Sequence, residues 1–291
     1  MNNKTIINKS DSLGINNYCS WYIQTLPNQN KEIEFKEIEK FLNFILQTDT
    51  IPIFKSKHSK RIEFINYGRT QLVFVITIDE LQQFAILISQ PCAEEDQVKK
   101  EYENLLKLSK NNPNVIKPIT FFVDPNKPNR QAYVTPYIYQ ARCIGISDTE
   151  WGMWKPDPEY HFEVSDKKLK HTINVCMIAL LISFYNEDEK TGVSKIRLDG
   201  DDFMLKKGFE NLEINNENII KNMIFIAARN LINIEFNEYK NILKKELLRS
   251  YSDKDTDKII VSRLKSPMTQ NEIDEGISYG SNKFSSRYSY I

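Results

Sequence analysis

The sequence has few of the residues that build metal and redox centres. Its four cysteines, Cys19, Cys92, Cys143 and Cys176, lie far apart and form no C-x-x-C pair, whereas zinc ligands usually come in close pairs. Four reduced thiols, two or three of them buried, are the expectation. There are only three histidines, His58, His161 and His171, too few for a His-rich metal centre. Net charge is also missing: 39 Lys and Arg stand against 39 Asp and Glu. That balance excludes binding to nucleic acid or an anionic membrane by bulk charge, and leaves room for a local patch. Apolar runs such as Leu72 to Ile76 and Met177 to Ile182 fall well short of the roughly 20 residues a membrane helix needs. The opening MNNKTIINKSDSLG holds no apolar stretch of signal-peptide length. A cytoplasmic protein is expected, with no nucleic-acid or membrane partner. G-x-S-x-G, H-E-x-x-H, G-x-x-x-x-G-K-[ST] and G-x-G-x-x-G are all absent. This argues against hydrolase, zincin, P-loop and Rossmann chemistry, and leaves open a site assembled from scattered residues.

What is present suffices for a sizeable core. Hydrophobic residues make up 41% of the 291, and the length suits two domains or one domain in two lobes. Residues 1–30 are polar and Asn-rich around Trp21 and Tyr22, and read as loosely docked. Ile33, Ile38, Phe41, Leu42, Ile45 and Leu46 have helical spacing, which predicts an amphipathic helix over 32–48. The period then changes to that of strands over 61–65, 71–78 and 83–89, punctuated by Asn66-Tyr67-Gly68 and Asp79-Glu80. A helix is expected over 93–110, then strands over 115–123 and 131–138. Three strands, one helix and two strands, joined mostly by hairpins, predict a five-stranded antiparallel sheet with one helix on a face.

Beyond Tyr139 the strand signal fades. WGMWKPDPEYH (151–161) reads as an aromatic, Pro-broken loop, and 192–205 as a loop or short hairpin. Helices are expected over 165–185, 216–231 and 235–251. The first has a very apolar centre, Val175 to Phe184, suited to burial on most sides. Thr269-x-x-Glu272 is a capping box opening a last helix. The expected fold is therefore α+β and two-lobed. Residues 1–59 are an N-terminal extension, 60–139 a β-rich small lobe and 140–291 a mainly helical lobe.

Several stretches resemble the protein-kinase-like fold, the group of the protein kinases and the aminoglycoside and choline phosphotransferases. Phe84-Ala85-Ile86-Leu87 falls where that group has V-A-I-K on its third strand. Glu101, followed by Leu105 and Leu108, falls where the helix carries the glutamate that pairs with that lysine. Asn112-Pro113-Asn114-Val115-Ile116 looks like the H-P-N-I-V joint. Thr135-Pro136-Tyr137-Ile138 sits where the hinge would be. SKIRLDGDDFML (194–205) looks like a worn catalytic loop. The resemblance spans roughly residues 60–205. It implies a nucleotide-binding cleft lined by Gly68, Leu87, Glu101, Thr135 and Tyr137.

The departures bear on activity. In kinases the lysine holds the α- and β-phosphates; a leucine at 87 does not. Counting back five from Asp202, taken as the asparagine position, the base position falls on Arg197, a cation. No D-F-G counterpart is evident, and the glycine-rich loop is reduced to Gly68. The resemblance therefore implies a kinase-like protein lacking phosphotransfer residues, acting as a binding or scaffolding module without a cofactor. A second reading is a diverged small-molecule phosphotransferase using ATP and magnesium. There, Lys195 or Arg197 would replace the lysine, Asp201 or Asp202 would hold the metal and Asp199 would act as the base. A third drops the resemblance for an unrelated α+β protein.

Each candidate also has a plainer reading. Asp199-Gly200-Asp201-Asp202 is either a hard-cation cluster or a turn. Glu101 is either a positioning carboxylate or a solvated helix residue. Arg197 either grips a phosphate through its planar fork or pairs with Asp199 or Asp201. Trp151, Trp154, Tyr160 and His161 either anchor a protein or small-ligand partner or pack as a loop. Lys240, Lys244, Lys245 and Arg249 read as a solvated helix face rather than a nucleic-acid contact.

Overall fold

A computed structural model describes residues 6–7, 28–67, 71–90, 93, 96–138, 141–145, 161–163, 166–194, 202–248 and 268–285. The chain divides into two compact units: Met1–Glu103 with Lys117–Ile138, and Asn104–Ile116 with Tyr139–Ile291. The architecture is α+β, with the five-stranded antiparallel sheet in the first unit.

That sheet consists of β2 (Lys60–Tyr67), β3 (Gln71–Ile78), β4 (Gln82–Ser89), β6 (Lys127–Pro136) and β5 (Thr120–Asp124), side by side in that order. The two-residue β1 (Ile6–Ile7) adds a parallel edge on β2. Helix α3 (Gln97–Leu108) lies in sequence between β4 and β5. The fourth strand starts later than the period suggests, at Thr120 rather than Val115. Pro118 cannot donate to a ladder, and Ile116 instead donates its N–H to the Phe225 carbonyl within the second unit.

Strand side chains alternate between faces, and along β3 both faces are largely buried. Leu72, Phe74, Ile76, Ile78, Ile86, Ile88, Ala132, Val134 and Phe122 form one side. The same core takes in Ile38, Phe41, Leu42, Ile45 and Leu46 of α1 (Asn28–Gln47), with Ile51 and, from the short α2 (Pro52–Lys55), Phe54. Residues of the N-terminal stretch are thus part of the sheet's own core. The opposite side carries Gln71, Val73, Val75, Thr77, Leu87, Tyr133 and Thr135 by parity, and α3 docks on it. The Tyr102 ring stands 6.2 Å from Tyr133 and 5.5 Å from Phe121.

In the second unit, α4 (Lys167–Ser183) is the central element. Asp166 caps it, its carboxylate accepting from the Leu169 N–H at 2.7 Å, and Thr172 to Ile182 are buried throughout. Helix α7 (Gln270–Ser285) packs along it. A Cβ on Gly276 would lie 2.6 Å from the Ile178 Cβ, and one on Gly280 would lie 2.9 Å from the Ala179 Cα. The capping box holds as read: Thr269 donates its N–H to the Glu272 carboxylate, and the Glu272 N–H returns to the Thr269 hydroxyl at 3.3 Å.

This unit carries more strand than the sequence suggests. β7 (Arg142–Gly145), β8 (His161–Glu163), β10 (Phe203–Leu205) and β11 (Met223–Phe225) form one small sheet. β9 (Thr191–Ser194) pairs with β12 (Asn230–Asn233). The helix expected over 216–231 stops as α5 (Asn216–Asn222). Met223, Ile224 and Phe225, all buried, leave it to pair with β10. A fully buried apolar run of this length has no periodicity to separate strand from helix. Helix α6 (Phe236–Leu248) follows.

Candidate functional site

Pairing places Leu87 between Val73 on β3 and Tyr133 on β6. Leu87 is half-buried and lies on the face where α3 docks. Thr135 shares that face, opposite Ala85, and is 2% exposed. Tyr137 follows the last residue of β6, and its N–H donates to the Gln83 carbonyl at 3.1 Å. Leu87, Thr135 and Glu101 are thus brought to one side of a single sheet.

Glu101 is the most informative of them. It is 3% exposed, so the reading of a solvated helix glutamate does not hold. Val98 and Leu105, three residues before it and four after, are buried on the same stripe of α3. The spacing that docks the helix therefore buries the carboxylate. Gln71 of β3 donates its side-chain amide to the Glu101 carboxylate at 2.8 Å. Gln71 is itself held by Gln90, whose amide donates to the Gln71 carbonyl at 3.3 Å. The sequence reading missed Gln71, although a signal exists: it is the one polar residue opening an apolar strand, two before Val73, and parity puts it on the face of Leu87.

In the second unit, Asp202 immediately precedes β10 and is 4% exposed. Its carbonyl accepts the Ile226 N–H at 2.9 Å. Asn114, in the stretch likened to H-P-N-I-V, donates its amide to the carbonyls of Ile220 and Met223 at 2.7 and 2.9 Å. Asn112 caps the end of α3 through the Leu108 carbonyl. Gly68, Arg197, Asp199 and Asp201 lie outside the described residues, as do Lys195, Trp151, Trp154 and Tyr160. On α6, Lys240 stands 4.7 Å over the Phe236 ring and Lys244 pairs with Asp274 at 2.7 Å, while Leu243 and Leu247 are buried.

Two titratable groups have shifts with clear causes. Arg130 is 3% exposed beside Asp124, Glu34 and Glu37 at 2.7 to 3.1 Å. Burial works against its charge, but Glu34, Glu37 and Asp124 outweigh it and hold the guanidinium above its ordinary value. This network ties α1 to the β5–β6 hairpin. In α4, burial pushes the Cys176 thiol up to about 12, the state of a protonated, unreactive sulfur. Among the described residues no three His, Cys, Asp or Glu side chains stand together as a metal site, and no helix is long and apolar enough to cross a membrane.

No protein-family model matches the chain, and no curated protein matches it. Among solved structures it is similar to the Cydia pomonella granulovirus kinase PK-1, at 13% identity and a TM-score of 0.32. The match covers 59% of this chain and 52% of the viral one, so the chain spans about half the length of that kinase.

Proposed function

We propose that the chain is a binding module on a kinase-like framework that does not transfer phosphate. The order of three antiparallel strands, a helix and two strands supports the framework, with a buried glutamate on that helix and Leu87 on the strand face it docks against. The observation that carries the loss of chemistry is Leu87. The strand position that would reach a triphosphate is an aliphatic side chain. Trp151, Trp154 and Tyr160 are proposed to face the partner, a protein or small ligand, without a resident cofactor. Incubation of the full chain with ATP and magnesium is expected to release and transfer phosphate only at background. Turnover abolished by Asp202→Ala would overturn the proposal.

A second reading rests on the burial of Asp202. Burying a carboxylate is costly, and such residues collect at functional sites. In a diverged small-molecule phosphotransferase Asp201 or Asp202 would hold magnesium, Asp199 would be the base and Lys195 or Arg197 would serve for the lysine. A ligand bound only by the folded state must raise the melting point. A shift that grows with ATP or GTP plus magnesium would favour this reading, and a flat titration would remove it.

A further inference from the structure

Arginine side chains in this protein usually end on an acid. Arg61 pairs with Glu63 at 3.0 Å, and Arg130 with Asp124, Glu34 and Glu37. Arg229 differs. It is half-buried, no carboxylate among the described residues pairs with it, and its Nε is sealed from water without an acceptor. The backbone that carries it is pinned on both sides, all within the second unit. Three residues earlier, the Ile226 N–H donates to the Asp202 carbonyl at 2.9 Å. One residue later, Asn230 opens β12 and stands opposite Ser194, the end of β9. Asn104 of α3 donates its side-chain amide to the carbonyl of buried Ala228 at 2.9 Å and to that of Arg229 itself at 3.4 Å. The side chain therefore springs from a fixed base. The two carbonyl oxygens nearest to it along the chain, which would repel an anion, are taken up by an amide.

A guanidinium stays charged throughout the pH range of folded proteins, so it has no neutral form to retreat to. Holding one half-buried without an acceptor costs free energy, and a sealed, unsatisfied donor calls for an explanation such as strain or a ligand. The bonds that fix this stretch all run through its backbone and through Asn104, so the fold makes no use of the guanidinium. We propose that Arg229 anchors a binding site in the second unit for a small ligand that carries an oxyanion, a phosphate or a carboxylate group. A guanidinium takes two oxygens of such a group at once through its planar fork. The site requires neither the kinase-like framework nor phosphate transfer, and it stands apart from the aromatic residues proposed above to face a partner.

The test is calorimetric titration of the full chain at low ionic strength with pyrophosphate and, separately, with citrate, both without magnesium. At least one probe is expected to bind. Arg229→Gln should weaken that binding about ten- to a hundredfold, and Arg229→Lys, which keeps the charge and loses the fork, should fall between. Binding of pyrophosphate alone assigns a phosphate, binding of citrate alone a carboxylate, and binding of both the oxyanion they share. Failure of both probes to bind, or equal binding by Arg229→Gln, would overturn the site. Arg229→Met keeps an apolar stem and removes the charge, and without a probe it is expected to melt no lower than the wild type. A marked drop in its melting point would also overturn the site, because the guanidinium would then be serving the fold itself. Phosphate transfer from ATP would overturn the proposed function and leave this inference standing.

Discussion

Cys176 shows how much a single burial decides. Its sulfur contacts the Asn216 carbonyl at 3.4 Å inside a helix stripe with no exposed neighbour from Thr172 to Ile182. An unfolded thiol ionises near 9, whereas the folded one is pushed to about 12. The folded state therefore holds a proton that the unfolded chain gives up. Stability is intact below pH 9 and falls as the pH rises toward 12, by up to about 1.4 kcal/mol per unit. Wild type minus Cys176→Ala, followed by urea unfolding from pH 8 to 10.5, is expected to show that slope. At pH 8 the native thiol should not react with iodoacetamide. A thiol modified within minutes without unfolding would contradict the burial.

At the scale of elements, the crossing of α4 and α7 turns a propensity rule around. Gly276→Ala in an ordinary helix interior gains about 1 kcal/mol. Here the added methyl meets Ile178 at 2.6 Å. Overpacking costs about 1–3 kcal/mol, so the net is expected to be a loss on the order of 1 kcal/mol. Ser278→Ala, on the exposed side of the same helix, is the control and should be neutral or slightly stabilising. Denaturant midpoints of the two variants decide the sign.

The same scale shows what could be read in advance. The β2–β4 meander, α3, the β5–β6 hairpin and α4 follow from period and punctuation, because each buries a stripe its own residues announce. Glu101 could be named by spacing from Leu105 and Leu108. Its burial could not, since Lys99 and Lys100 beside it suggest water, and only the docking of the start of α3 on the sheet turns the carboxylate inward. The second unit's small strands escaped for another reason. β7, β10 and β11 are three or four residues each, too short for a period, and their pairing is set by distant chain. Arg197, Asp199, Asp201 and Gly68 were legible as residue types, and their surroundings lie outside the described residues.

For the molecule as a whole, α1 and α2 matter more than an appended segment would. Ile38, Phe41, Leu42, Ile45, Leu46, Ile51 and Phe54 are all at most 6% exposed. Each such burial contributes about 1.5–3 kcal/mol, against a typical net stability of roughly 5–15 kcal/mol for a whole domain. Deleting residues 1–59 is expected to abolish a cooperative thermal transition of the first unit and to raise binding of an apolar dye. A shortened chain with a sharp near-native transition would show that the helix is dispensable.

A strand enclosed on both sides has no face on which change is free. From Leu72 to Ile78, β3 has only Val73 less than buried, so alternate positions do not offer alternate tolerance. In a library of all single substitutions, most antiparallel strands give a striped record of accepted and rejected charges. This strand should give an unbroken block of rejection, and drift during evolution would be confined to conservative exchanges of size and branching.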